Sequence, residues 1–174
     1  MPEGEESVAF TQSALPALVP QQAGGAGKGV PTADAPVLSE GFELPARTEA
    51  VARARACVEE RVESWGLPEE LGYTAQLVIS EFFTNAVVHT DSGRVLCCLQ
   101  IRGDRLRIEV ADEGTERLTP QLRRPGVDEL GGRGLQLVGA VACEWGVVAG
   151  GGAGRIVWAE LDSAPERTAE GDRG

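Results

Sequence analysis

Lysine is nearly absent from this chain. Lys28 stands alone against fifteen arginines in 174 residues. It lies in AGGAGKGVPT, where Gly29 follows it instead of Ser or Thr and the upstream glycines are wrongly spaced for a P-loop. A strand-borne kinase lysine is missing too, with the other signatures of eukaryotic-type kinases. Any phosphate chemistry must therefore rest on arginine, backbone amides or a metal ion. Histidine is equally scarce, His89 being the only one. The four cysteines, Cys57, Cys97, Cys98 and Cys143, form no Cys-x-x-Cys pair, so neither a zinc site nor a disulfide frame is expected. A reducing cytoplasm is then the default setting. No apolar run is long enough for a membrane span, and the opening MPEGEESVAF has no basic and apolar regions of a signal peptide. Positive charge is in deficit as well. A net charge of −11 argues against a broad nucleic-acid surface.

What is present is a globular composition, 42% hydrophobic, in a chain long enough for one domain with flanks. Residues 1–41 are rich in Ala, Gly, Pro and Gln, carry Glu3, Glu5, Glu6, Asp34 and Glu40 against Lys28, and show no periodicity. They read as a disordered tail, residues 42–161 as the domain and 162–174 as a second flexible tail.

The domain is organised around residues 77–90, LVISEFFTNAVVHT. Without Gly or Pro and largely apolar, the stretch reads as a buried helix. Glu81, Asn85 and His89 recur every fourth residue, so they form one slowly drifting polar stripe. A carboxylate and an amide buried on a helix cost several kcal/mol unless paired. Either neighbouring backbone satisfies them or the helix lines a polar cavity. His89 reads as a satisfied polar side chain rather than a proton carrier.

Around that helix the remaining elements follow in order. A short strand is expected at 42–44, then a helix from Pro45 to about Trp65, closed by Gly66. Pro68 and two glutamates open the central helix, where acidic residues suit the positive end of its dipole. Strands at 94–101 and 105–111 flank a turn at Gly103 and Asp104. Leu106, Ile108 and Val110 face inward on the second strand, while Arg105, Arg107 and Glu109 face out. Asp112 is next in the inward phase: either it has a partner at that strand end, or the strand has already ended in an exposed loop. Residues 114–130 are polar with no clear period, which marks a functional or mobile segment. Gly132, Arg133 and Gly134 then lead into an apolar helix. A glycine-rich turn there can bring free N–H groups to a phosphate, or can be plain loop chemistry. It fails the dinucleotide fingerprint, because Leu137 occupies the third glycine position and no strand leads into it. Two last strands, 144–149 and 155–161, are joined by a glycine-rich hairpin, with Trp145 and Trp158 as core or edge packing.

The order of these pieces is more specific than any one of them. LVISEFFTNAVVH, VADEG and GGRGLQLVGAVACEWGV followed by GRIVWAEL resemble the motifs of the GHKL superfamily of ATP-binding domains, which includes histidine kinases and gyrase B. Within it, the small anti-sigma-factor serine/threonine kinases and their actinobacterial relatives are the nearest match. The resemblance spans about residues 40–161. It implies an α+β Bergerat fold, a two-layer sandwich of mixed, mainly antiparallel sheet covered by helices on one face. It implies ATP and Mg²⁺ as cofactors. Asn85 would hold the metal, whose other ligands are phosphates and water. Glu81 would accept the proton of an attacking hydroxyl. Asp112 would accept a hydrogen bond from the adenine amino group, and Gly114 would let the base approach the backbone. Gly132, Gly134 and Leu135 would open the helix to the phosphates, with Arg133 adding charge. The implied activity is phosphorylation of a serine or threonine on a small anti-anti-sigma-like partner. The alternative is an anti-sigma-like module that binds a regulator or sigma factor and uses ATP structurally or weakly. Members often form homodimers; no nucleic acid or membrane partner is implied. Two departures stand out. Many members read Asp-x-Gly-x-Gly where this chain has Asp112-Glu113-Gly114-Thr115-Glu116, so Glu116 replaces a glycine. No phosphoacceptor histidine precedes the domain, which argues against a conventional sensor histidine kinase.

Overall fold

The computed structural model describes residues 38–113, 133–150 and 154–163. Expectations for the tails over 1–37 and 164–174, for Gly114, Gly132 and Glu116, and for the 114–130 segment lie outside those residues, whereas residues 38–41, expected in the disordered tail, and Asp162, expected in the second flexible tail, are strand.

Strand β1 (Leu38–Pro45) opens the fold and pairs antiparallel with β2 (Arg94–Arg102). It starts four residues before the sequence reading placed it, because Leu38 to Gly41 continue the same ladder against Ile101 to Cys98. Helix α1 (Ala50–Ser64) begins later than Pro45. Pro45 is still paired with Arg94, and the Ala46 N–H bonds the Gly93 carbonyl, so the chain stays at the sheet before turning. The end of α1 follows the expected chemistry. Gly66 takes φ +67°, its N–H bonds the Glu63 carbonyl and the Leu67 N–H bonds that of Val62. That pair of bonds is the Schellman arrangement, which needs a left-handed residue and so favours glycine.

Helix α2 (Glu69–His89) lies across the sheet. Its Ala75, Val78, Ile79, Phe82, Phe83 and Ala86 are buried, at the spacings of one helical face. Strand β3 (Arg105–Asp112) returns from β2 through Gly103 and Asp104, with Gly103 at φ +56°. Helix α3 (Arg133–Val141) follows, then β4 (Glu144–Ala149) and β5 (Arg155–Asp162). The sheet order is β1-β2-β3-β5-β4 and every described pairing is antiparallel. The α+β sandwich is thus present, with no parallel pair among the described strands. No helix among the described residues is long and apolar enough to cross a membrane.

The core lies between the sheet and α1 and α2. Phe42, Val95, Cys97, Leu99, Leu106, Ile108, Val110, Val157, Ala159 and Leu161 supply the sheet side. Inward alternation on β3 is as expected. The other face departs from expectation: Glu109 points away from the helices yet is only 2% exposed, and Arg107 only 8%. Arg107 Nε donates to Glu109 Oε1 and its Nη1 to Glu160 Oε1, both at 2.7 Å. Its guanidinium also stacks over Trp158, 4.2 Å from the ring centroid. Alternation reports direction and not solvation. Long side chains on neighbouring strands lie flat and cover one another.

Candidate functional site

Helix α2 carries the polar stripe. Glu81 and Asn85 are half-buried, one turn apart, on a helix whose opposite side is core. Among the described residues neither side chain makes a hydrogen bond or an ion pair. Of the two readings of the stripe, satisfaction by neighbouring backbone is therefore not what the structure shows. His89 is the last helical residue and is exposed, where solvent can satisfy its ring nitrogens. An imidazole there sits at the negative end of the helix dipole.

The start of α3 meets this stripe. The Glu81 carboxylate lies so close to Gly134 that a Cβ at that glycine would fall 2.0 Å from Glu81 Oε2 and 3.0 Å from its Cδ. A side chain at that position would have to displace the carboxylate, the far end of a flexible side chain. The first turn of α3 has backbone N–H groups with no partner inside the helix. Arg133, at the first position of α3, is exposed. Leu135 is buried in the core at 4% exposure, so its side chain anchors the helix.

Asp112 closes β3 and is buried, 7% exposed, in the inward phase. Its partner is one the sequence reading missed. Arg155 stands directly opposite on β5, and its Nε donates to Asp112 Oδ2 at 3.2 Å. The signal was available: Arg155, Val157, Ala159 and Leu161 alternate on the inward face, so Arg155 carries a charge into a buried phase as Asp112 does. The turn after α2 adds a tie. Thr90 Oγ1 donates to Ser92 Oγ at 2.9 Å, and Ser92 Oγ accepts the Glu113 N–H at 3.0 Å. The end of β3 is thereby held beside the C-terminal end of α2. The expected site residues Glu81, Gly134 and Asp112, with Asn85 on the same helix, are thus all placed by elements that pack on one another. Gly114 and Gly132 lie outside the described residues.

Chemically the arrangement is a half-buried carboxylate and amide on one helix, a helix start that a Cβ would block, and a buried carboxylate at a strand end. Among the described residues no three His, Cys, Asp or Glu side chains converge to hold a metal. A cation here would depend on oxygen ligands brought by a bound molecule, as Mg²⁺ does on phosphates and water.

Fold and site together define an α+β domain in which the Glu81 carboxylate of a central helix stands against the glycine at the start of a second helix. The histidine kinase-like ATPase domain family matches residues 44–161, and the chain belongs to that family. No match is found among curated proteins.

Proposed function

We propose that this domain is an Mg²⁺-ATP-dependent protein kinase of the anti-sigma-factor type, acting on serine or threonine of a small partner. ATP binding is what membership of the family supports. The observation that carries the finer reading is the Glu81 carboxylate, without a partner, set against Gly134 at the opening of α3. A structural carboxylate would be paired; one held free beside an anion-binding helix start is placed to accept a proton. The residues fit the cofactors. Asn85 offers a half-buried amide oxygen for Mg²⁺, Asp112 a buried acceptor for the adenine amino group, and Gly134 a backbone that phosphate can approach. When bound, Mg²⁺ would supply neutralisation of phosphate charge in a chain that has a single lysine, Lys28. The protein's own part is to orient the partner's hydroxyl and hold its proton at Glu81.

Glu116, in place of the family's second glycine, favours one other reading: an interaction module that binds ATP weakly and transfers nothing. The test is calorimetric titration with Mg²⁺-ATP, followed by radiolabelled phosphate transfer to a partner recovered by pulldown. Saturable binding with labelling of a partner serine or threonine supports the kinase. Binding without transfer to a confirmed partner leaves the module. No binding at millimolar ATP removes both.

A further inference from the structure

Arg155 is the first residue of β5, and its guanidinium lies along the Asp112 carboxylate. The side chain is 12% exposed and that of Asp112 3%. Asp112 is the guanidinium's only described partner, and only Nε is used. Both Nη groups are left as donors, and neither is among the fully buried polar atoms that lack a partner, so they retain contact with solvent. The position is clamped. A Cβ at Gly154 would come within 2.1 Å of the Asp112 carbonyl oxygen, so β5 begins hard against the end of β3. The strand register then confines the guanidinium beside the carboxylate.

Because the Arg155 Nη groups keep contact with solvent, an incoming acceptor can take the place of water there. The strand end thus presents two complementary groups side by side: Asp112 can only accept and Arg155 can only donate. An adenine ring offers the matching pair, an amino group that donates and a ring nitrogen beside it that accepts. A carboxylate has about four lone-pair positions, so it can accept from an amino N–H while also holding other donors such as Arg155.

We propose that Arg155 reads the base: one of its Nη groups donates to the ring nitrogen flanking the 6-amino group while Asp112 accepts from that amino group. This deepens the adenine-nucleotide reading above and rests on it. Arg155 is then a specificity-determining residue, and the base is recognised by two direct protein contacts where Asp112 alone makes one.

The test compares ATP, 1-deaza-ATP and 7-deaza-ATP by calorimetric titration of the full chain with Mg²⁺. The analogues replace one ring nitrogen each by a carbon. Wild-type protein should bind one of them roughly tenfold or more weakly than ATP, the loss expected for a hydrogen bond from a charged donor. That analogue also identifies which nitrogen is read. In Arg155→Ala the gap between ATP and that analogue should close. Arg155→Lys, which keeps a positive charge beside Asp112, should fold and narrow the gap. Equal affinity of the wild type for all three nucleotides overturns the proposal while leaving the nucleotide site intact. A gap that persists unchanged in Arg155→Ala overturns it as well. If wild type binds none of the three, the nucleotide reading itself fails and takes the proposal with it. The wild-type comparison uses no variant, so its outcome does not depend on how substitutions affect folding.

Discussion

At the scale of single residues, the two polar groups on α2 are proposed to do different work, and substitution separates them. Asn85 is the proposed metal-holding group, so Asn85→Ala should abolish Mg²⁺-ATP binding and transfer together. Glu81 is the proposed base, so Glu81→Ala should keep ATP affinity within a few-fold and lose about 10²–10⁴-fold in transfer rate. Titration calorimetry beside a phosphotransfer assay reads both; wild-type transfer by Glu81→Ala would show that another group takes the proton. Gly134 adds a test that needs no nucleotide. A methyl there claims the space of Glu81 Oε2, so Gly134→Ala must push the carboxylate aside. In the wild-type background this should lower stability. In a Glu81→Ala background the obstacle is gone, and alanine should be neutral or better by up to ~1 kcal/mol, its usual helix advantage over glycine. Denaturant unfolding of the four proteins closes the cycle. A sign that stays the same in both backgrounds would mean that the contact does not shape the site.

At the scale of elements, the strands and helices were legible because each carries its own period and its own stop signal. Gly66, Pro68 and the Gly103 turn fall where their chemistry demands. Where α1 begins was not legible, since the bond from Ala46 to the Gly93 carbonyl joins segments 47 residues apart in sequence. Of the site, Glu81 and Asn85 could be read from spacing within one helix. The approach of Glu81 to Gly134 could not, because no local pattern states how α2 and α3 meet. The outer face of the sheet was misjudged for the same reason. Alternation showed Arg107 and Glu109 pointing outward, but Glu160 and Trp158, which close over them, come from β5. This network makes its own prediction. Arg107→Ala removes the guanidinium that bonds a carboxylate at 2% exposure, and taking away one partner of a buried pair costs about 3–5 kcal/mol. Replacing the pair together, Arg107→Met with Glu109→Leu, should cost clearly less, because the most deeply buried carboxylate leaves with its guanidinium. Chemical denaturation measures the difference, and equal losses would show that shape rather than charge holds this face.

At the scale of the whole molecule, the four cysteines report on whether the fold stays closed. Cys143 is exposed, whereas Cys57, Cys97 and Cys98 are buried in three different elements or faces. Burial raises the pKa of all three buried thiols, that of Cys97 most strongly and that of Cys98 to about 11. For Cys98 the Ser39 hydroxyl beside it works in the opposite direction but does not prevail. A reagent specific for thiolates should therefore modify Cys143 promptly near pH 8 and reach the others only as the domain opens. The same burial sets the alkaline limit of stability. Below about pH 9 these thiols hold their protons in both folded and unfolded chains, and stability does not depend on them. Between about 9 and 11 the unfolded chain has released the Cys98 proton while the folded chain retains it, so the folded state binds more protons and loses stability as pH rises. Each such thiol contributes a slope approaching ~1.4 kcal/mol per pH unit. Cys98→Ala should remove one such contribution from the alkaline slope, measured by denaturant unfolding at several pH values, while leaving the slope below pH 9 unchanged. An identical alkaline slope in Cys98→Ala and wild type would show that the Cys98 thiol does not stay protonated in the folded protein. Burial of the polar outer face of the sheet, where Cys98 sits beside Glu109, would then be looser than the static structure draws it.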